Sequence, residues 1–463
     1  MSATAGMTAL QGPIARSLLS LAWPVLVVLA LQTFVGVAET WFVSFLGTDA
    51  LAGVALVFPL FMLMTMMSNG GIGGGVSSAV ARALGAGRTK DAEALAMHAV
   101  VIGLVLGVLF AIGAWLGGPA LFRRMGAQGE TLSSAVLYSN VLFLAAIPGW
   151  IANLLAAVLR GAGNVRVPAI VTATGALITL VLSPLFIFGW GWVPRMGVAG
   201  AGAALIVFNV GSAIVLILYM RSAHSAIRLA RTRLQSRLFN DILSVGLVSA
   251  IGTVVANLTV VVTTGLVGVQ GRDAIAGYGL ASRLDYLLIP LLFALGTASV
   301  TMVGTNVGAG QAARAAKIAW TGALLSTLAT AAIGLAAAIF PDAWLHLFSS
   351  EPQVVEYGSA YLERVGPFYA LFGAGMSIYF ASQGAGRMAW PFAAGMARLC
   401  VVAVGGSYWV YGLQGSLNGL YWIAAAGYLA FGAINIFALA SGLGWRRPRV
   451  LLDRPRGAPR AAG

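Results

Sequence analysis

Long apolar segments restrict the fold of this chain more than any other feature. Hydrophobic residues make up 59% of its 463 residues and charged residues only 9%, whereas soluble proteins contain about 25% charged residues. A helix needs about 20 mostly apolar residues to span a bilayer. The sequence has twelve such segments, at residues 17–46, 51–79, 94–117, 133–159, 166–191, 198–220, 240–268, 274–305, 314–340, 354–381, 391–412 and 418–443. We therefore predict an all-α polytopic membrane protein with twelve transmembrane helices.

The charged residues are divided unequally between the two sets of loops. One set and the C-terminal tail hold most of the basic residues, including Arg82, Arg88, Lys90, Arg160, Arg166, Arg221, Arg228, Arg231, Arg233, Arg237, Arg314, Lys317 and Arg387. Because positively charged loops stay in the cytoplasm, we predict a multi-pass protein of the inner membrane with both termini cytoplasmic. The net charge of +14 then reflects orientation and contact with anionic lipid, and no nucleic-acid partner is expected.

The sequence contains an internal repeat of about half its length. Three glycine-containing motifs recur at an offset of 223 or 224 residues: Gly47–Gly53 as Gly271–Gly277, Gly85–Gly87 as Gly308–Gly310, and Gly161–Gly163 as Gly384–Gly386. Each half thus contains six helices, and an even number gives two repeats of the same orientation. We predict an N-terminal lobe (1–220), a basic cytoplasmic linker (221–239), a C-terminal lobe (240–445) and a basic cytoplasmic tail (446–463).

Two parallel six-helix repeats around a central cavity suit a transporter. Repeats of this kind recur in secondary carriers, where one bundle rocks against the other and exposes the cavity alternately to either side. We therefore expect alternating access.

One carboxyl group lies within the first apolar segment. Glu39 is the only acidic residue before Asp49, and an ionisable group inside a membrane segment is costly and by default indicates a functional site. Low dielectric favours the neutral form of a carboxyl group. We expect Glu39 to exchange a proton with a cationic substrate by direct competition.

Several short motifs occur in order along the chain. They are Leu21–Pro24, Leu31-Gln32, Glu39-Thr40, Gly47–Ala52, Ala81–Gly87, Leu159–Asn164 and Ser183–Gly189. Together they resemble the multidrug and toxic compound extrusion (MATE) family over almost the whole chain. The resemblance implies two six-helix lobes around a central cavity and export of organic cations or other amphipathic compounds in exchange for H⁺ or Na⁺.

The chain departs from the family at several acidic positions. Glu39 stands where the family usually has Asp on helix 1. A helix 5 Asp of the branch similar to DNA-damage-inducible F proteins corresponds to Ser183, and the Asn four residues before it corresponds to Thr179. The acids that the NorM-like branch carries on helices 7 and 10 have no acidic counterpart. The resemblance is therefore closer to the first branch.

Proton coupling is favoured over sodium coupling. Na⁺ needs several oxygen ligands at once; Glu39, Thr40, Thr179 and Ser183 supply some of them, but a second carboxylate is missing. Pro24 removes one backbone hydrogen bond from the first helix and is a candidate hinge.

Asp285 is the second intramembrane acid. Arg283 precedes it by two residues, and residues at this spacing do not face each other on a helix, so each is expected to find partners elsewhere. A proton relay and a structural pair are both open for Asp285. Thr263 is the repeat equivalent of Glu39, and further polar candidates for the cavity are Gln32, Asn209 and Asn257.

Two other functions remain open. A lipid-linked saccharide flippase would need basic residues inside its cavity, for which Arg283, Arg364 and Arg398 are the candidates. A membrane-embedded enzyme would need clustered acid-base or metal-binding side chains, and three scattered histidines and one cysteine, Cys400, do not form such a pattern. We expect no cofactor, no metal and a monomer.

Overall fold

The structure is a computed structural model that describes residues 10–191 and 193–445, almost all of them helical. The predicted tail, residues 446–463, lies outside the described residues. Twelve long helices follow one another: α1 (Ile14–Ser44), α2 (Thr48–Gly85), α3 (Thr89–Arg124), α4 (Gly129–Leu144 and Ala146–Gly161), α5 (Arg166–Phe188), α6 (Val198–Arg221), α7 (Ser236–Gly268), α8 (Arg272–Gly308), α9 (Ala312–Ile339), α10 (Pro352–Val365, Gly366–Phe368 and Tyr369–Gly384), α11 (Ala389–Gly412) and α12 (Leu417–Ala440). A short helix, Pro341–Leu345, lies between α9 and α10. The predicted all-α fold with twelve helices is confirmed.

Two of these helices are interrupted at the same place in the repeat. Ten helices are each long and apolar enough to cross a membrane, and α4 makes an eleventh as a pair of segments bent by 46°. The break falls at Ala145 because Pro148 has no N–H to donate to the carbonyl group of Leu144. In α10 the corresponding turn is a 3₁₀ segment that contains Pro367.

Two hydrogen bonds relate the lobes to each other. The hydroxyl group of Ser78 in α2 donates to the carbonyl oxygen of Gln383 at the end of α10. The hydroxyl group of Thr301 in α8 donates to the carbonyl oxygen of Arg160 at the end of α4, over 2.9 Å. Ser78 and Thr301 are the same position of the repeat, and so are Arg160 and Gln383. The two parallel lobes are therefore related by a pseudo-two-fold axis that passes through this contact, which we call the interlobe seam.

Glycines allow α2 and α8 to cross closely at the seam. A Cβ atom on Gly85 would overlap the carbonyl oxygen of Thr305, and one on Gly308 would overlap the carbonyl oxygen of Arg82. Gly85 and Gly308 are again repeat equivalents. The recurring glycine motifs of the sequence thus mark the place where the lobes touch, as small residues do at close helix contacts in membranes.

The seam lies at one end of the lobes. The four helices α2, α4, α8 and α10 all end there, and α1 begins and α12 ends on the same side of the membrane because the number of helices is even. Further along, α1 packs on α8 and α7 packs on α2, a second pair of equivalent contacts. The lobes therefore meet on the side where α1 begins and α12 ends, which we call the terminal side.

Side chains outside the helical core reinforce the seam. Arg82 donates to the hydroxyl group of Ser78 and, over 3.4 Å, to the carbonyl oxygen of Asp241 in α7. Asp91 at the start of α3 pairs with Arg237 at the start of α7 at 3.0 Å. These contacts tie the N-terminal lobe to the first helix of the C-terminal lobe.

Candidate functional site

Glu39 lies on α1, five residues before the helix ends at Ser44. Its Oε1 atom is buried and has no hydrogen-bond partner among the described residues. No salt bridge of the described residues includes it. Tyr138, a buried residue of α4, is its electrostatic neighbour. The carboxyl group is thus held in the N-terminal lobe without a compensating cation.

The hydroxyl residues proposed beside Glu39 are arranged along α1 and α5, which pack together. Ring centroids of Phe45 and Phe188 are 6.2 Å apart at the ends of these helices. Ser183 precedes Phe188 by five residues and Glu39 precedes Phe45 by six, so the two lie at about the same depth. Ser183 is fully buried, and its hydroxyl oxygen has no partner among the described residues.

The other hydroxyl groups are used within their own helices. Thr40 is exposed and donates to the carbonyl oxygen of Gly36 at 2.9 Å. Thr179 is buried and donates to the carbonyl oxygen of Gly175 at 2.9 Å. Ser183 is therefore the member of the proposed set that retains an unused hydroxyl group.

The first helix belongs to both lobes. Helix α1 continues without a break through Pro24. Before this residue, Leu18 and Ala22 are buried in a cluster formed mainly by α8, α9 and α10. The helix packs equally on α5 of its own lobe. The candidate hinge thus lies near the point where α1 leaves the other lobe, and exposed Gln32 follows two turns later.

Asp285 lies inside the C-terminal lobe among tyrosine hydroxyl groups. Tyr361 of α10 donates to its Oδ2 atom at 2.8 Å and Tyr428 of α12 donates at 3.2 Å. Tyr369 of α10 interacts with the same carboxyl group. The guanidinium group of Arg398 lies 4.2 Å from the ring centroid of Tyr428. The charge of Asp285 is therefore balanced by hydroxyl dipoles and a nearby cation, which Glu39 lacks.

The remaining polar residues predicted from the sequence do not gather around Glu39 or Asp285. Arg283 is exposed and stacks over the ring of Phe348 at 5.4 Å, so it does not pair with Asp285. Thr263 is buried and Asn257 is exposed, and each bonds to a carbonyl oxygen of its own helix. Asn209 does the same and packs against the α4 bend. The structure thus distributes the set over both lobes.

The tyrosines around Asp285 are absent from the residues that the sequence singled out. One signal for them exists, because Tyr361 is the repeat equivalent of Tyr138, at an offset of 223 residues. Each lobe therefore places the same tyrosine beside its buried acid, although Glu39 and Asp285 are not themselves repeat equivalents.

Two parallel six-helix lobes that touch at one end, with a buried carboxyl group in each, define a secondary carrier of the two-lobed type. A family model described as MatE matches residues 24–185 and 244–409, once in each lobe and over more than half of the chain. The chain therefore belongs to the MatE family, whose members are membrane transporters and not enzymes.

Individual relatives agree with this membership. The chain is 27% identical over 451 residues to a "Probable multidrug resistance protein NorM" of Thermotoga maritima, covering 96% of this chain and 95% of the relative. It is 27% identical over 361 residues to an "FAD transporter" of Shewanella oneidensis, covering 76% and 78%. The fold matches a structure described as the outward-facing conformation of a multidrug resistance MATE family transporter, with a TM-score of 0.85, 24% identity and coverage of 95% and 98%.

Proposed function

We propose that this chain is a secondary active exporter of organic cations or other amphipathic drugs, driven by H⁺ antiport. It works by alternating access as a monomer in the inner membrane, with both termini in the cytoplasm. The name of one relative, a probable multidrug resistance protein, supports the export of drugs. Within the family, we assign it to the branch similar to DNA-damage-inducible F proteins, because Glu39 on α1 is the acid it retains.

One observation carries the choice of coupling group. The Oε1 atom of Glu39 is buried without a hydrogen-bond partner among the described residues, and leaving a buried ionised group unpaired is costly. A proton or a cationic substrate relieves that cost, and the two compete for the same carboxyl group. Protonation on one side then releases the substrate, and deprotonation on the other side allows the next one to bind.

Asp285 is the second candidate for ion coupling. Its Oδ1 atom is also buried without a partner among the described residues, but its Oδ2 atom accepts two tyrosine hydrogen bonds and Arg398 lies nearby. The gain from an added proton or cation is therefore smaller than at Glu39. We therefore assign the coupling proton to Glu39 and a supporting role in the C-terminal lobe to Asp285.

The test is transport in proteoliposomes with an imposed pH gradient. We expect a fluorescent organic cation to accumulate against its gradient with the native protein and not with Glu39→Gln. Glu39→Asp keeps the carboxyl group and should retain part of the activity, which controls for loss of packing. Gradient-driven transport that survives in Glu39→Gln would refute the assignment, and Asp285→Asn would be measured next.

The same assay distinguishes two alternatives to proton-coupled drug export. Accumulation driven by a Na⁺ gradient without a pH gradient would establish sodium coupling through Glu39, Thr40 and Ser183. Failure of cationic dyes under both gradients, together with movement of a lipid-linked saccharide, would establish the flippase. The flippase is favoured by one observation, the guanidinium group of Arg398, which makes no hydrogen bond and no ion pair among the described residues but stacks on aromatic rings.

A further inference from the structure

A small void lies at the interlobe seam, where helices of both lobes meet. It is lined by Asn69, Gly70, Gly74 and Ser77 of α2, Arg160 of α4, Phe293, Thr297 and Val300 of α8, and Phe380 and Gln383 of α10. Its volume is about 10 Å³, about the space that one water molecule needs. Arg160 is the only charged residue in this lining.

The guanidinium group of Arg160 has no partner within the described residues. It makes no side-chain hydrogen bond there, and none of the salt bridges includes it; only its backbone carbonyl group is used, by Thr301. Arg82, also at the seam, differs because its guanidinium group donates to Ser78 and to the backbone of Asp241. Arginine keeps its charge in proteins, and Arg160 is partly buried, so an anion beside its guanidinium group would be favoured.

The other lining residues bear on the charge of a ligand that could compensate Arg160. The amide group of Asn69 makes no hydrogen bond among the described residues and can donate to a ligand. The amide nitrogen of Gln383 is already committed to Gly70 and Ser249. A water bridging Arg160 to the unpartnered Oε1 of Gln383 would fill the void but leave the charge in place.

We propose that Arg160 anchors an anion-binding site at the interlobe seam, where a small anion such as chloride or bromide binds beside its guanidinium group. The anionic group of a transported molecule shares this chemistry and would reach the same guanidinium group from the cleft. Because α2 and α4 supply one side of the site and α8 and α10 the other, the site is complete only while the lobes meet there. Bound anion therefore stabilises that conformation. The conformational part rests on the alternating access proposed above, and the anion site itself does not.

The repeat supplies the variant that tests the proposal. Gln383 occupies in the second lobe the position that Arg160 occupies in the first, so this backbone position accepts glutamine within the same molecule. Arg160→Gln removes the charge at a position with that precedent. Arg166→Gln is the matched control, because Arg166 is exposed and lies six residues further along the same connection.

The measurement is thermal unfolding of the purified full-length protein, with sodium gluconate replaced stepwise by sodium chloride or bromide at constant ionic strength. We expect a saturable rise of the unfolding midpoint by a few degrees in the native protein and in Arg166→Gln, and loss of that rise in Arg160→Gln. The same rise with an aromatic sulfonate but not with halide assigns the site to an anionic group of the cargo. An equal halide response in Arg160→Gln and the native protein overturns the proposal.

A second measurement does not depend on the variant folding. Crystals of the native protein grown in bromide should give an anomalous peak beside the guanidinium group of Arg160. Ordered bromide elsewhere with none at Arg160 contradicts the proposal. Neither measurement uses transport, so their failure is distinguishable from failure of the proposed export function.

Discussion

The reciprocal hydrogen bonds of the seam should control how readily the lobes separate. Ser78 and Thr301 each donate to a carbonyl oxygen of the opposite lobe, so both bonds exist only while the lobes meet on the terminal side. Each carbonyl oxygen keeps a backbone donor when the hydroxyl group is removed, Gly163 for Arg160 and Gly386 for Gln383, so each lost bond costs about 0.5–1.5 kcal/mol. The double variant Ser78→Ala with Thr301→Val therefore loses about 1–3 kcal/mol from the closed seam. Since each 1.4 kcal/mol is a factor of about ten, the equilibrium should shift toward the parted lobes by about 5-fold or more.

Spin labels can measure this shift directly. Lys90 and Ala313 are exposed repeat equivalents at the starts of α3 and α9 on the terminal side, so their separation follows the distance between the lobes. Cys400 is the only cysteine, and Cys400→Ser gives a background in which both positions can be labelled as cysteines. Pulsed electron paramagnetic resonance should find one short distance population in the parent and an added longer population in the double variant.

Ser77 provides the control for this experiment. Although Ser77 also lines the seam void, its hydroxyl group donates to the carbonyl oxygen of Ala157 at 2.7 Å, a buried bond of the same kind that stays within the N-terminal lobe. Ser77→Ala should therefore lower stability without lengthening the measured distance. An unchanged distance distribution in the double variant, or an equal change in Ser77→Ala, would refute the argument.

Two further predictions concern packing and charge. Gly308→Leu should prevent closure of the seam and lengthen the spin-label distance, because a side chain there overlaps a carbonyl group of the opposite lobe, whereas Gly113→Leu in α3, where a Cβ atom meets nothing within 4 Å, should leave the distance unchanged. Tyr361→Phe should lower the stability of the protein by about 1–3 kcal/mol in thermal unfolding, because it removes a hydrogen bond to a buried carboxyl group; Tyr408→Phe, at an exposed position, should have little effect, and equal losses in both variants would contradict this reasoning.

The sequence predicts the fold far better than it predicts side-chain partners. Twelve apolar segments and three recurring glycine motifs are enough for two parallel six-helix lobes, because the bilayer requires long helices and close crossing requires glycine at fixed positions, as at Gly85 and Gly308. The partners of Asp285 depend on how each helix is rotated about its axis. Helix α12 is apolar on all sides and has no hydrophobic face from which that rotation could be read, so Tyr428 is found only in the structure. In α10 the segment Pro352–Val365 is amphipathic and buries Tyr361 on its apolar face. The inward position of Tyr361 can therefore be read from the sequence, whereas its bond to Asp285 cannot.

The repeat separates the machinery that moves the lobes from the chemistry that drives them. At the seam the two halves contribute equivalent residues, Ser78 with Thr301, and the movement can be nearly symmetric. Charged groups break the symmetry, because the repeat equivalent of Glu39 is Thr263 and the repeat equivalent of Arg160 is Gln383. Both of these charges belong to the N-terminal half and lack a partner among the described residues. Substitutions at Ser78 and Thr301 should therefore change the population of conformations, and with it the occupancy of the anion site, without altering the group that binds the proton. Substitutions at Glu39 or Arg160 should change the dependence on protons or anions while the hydroxyl-to-carbonyl contacts of the seam stay intact.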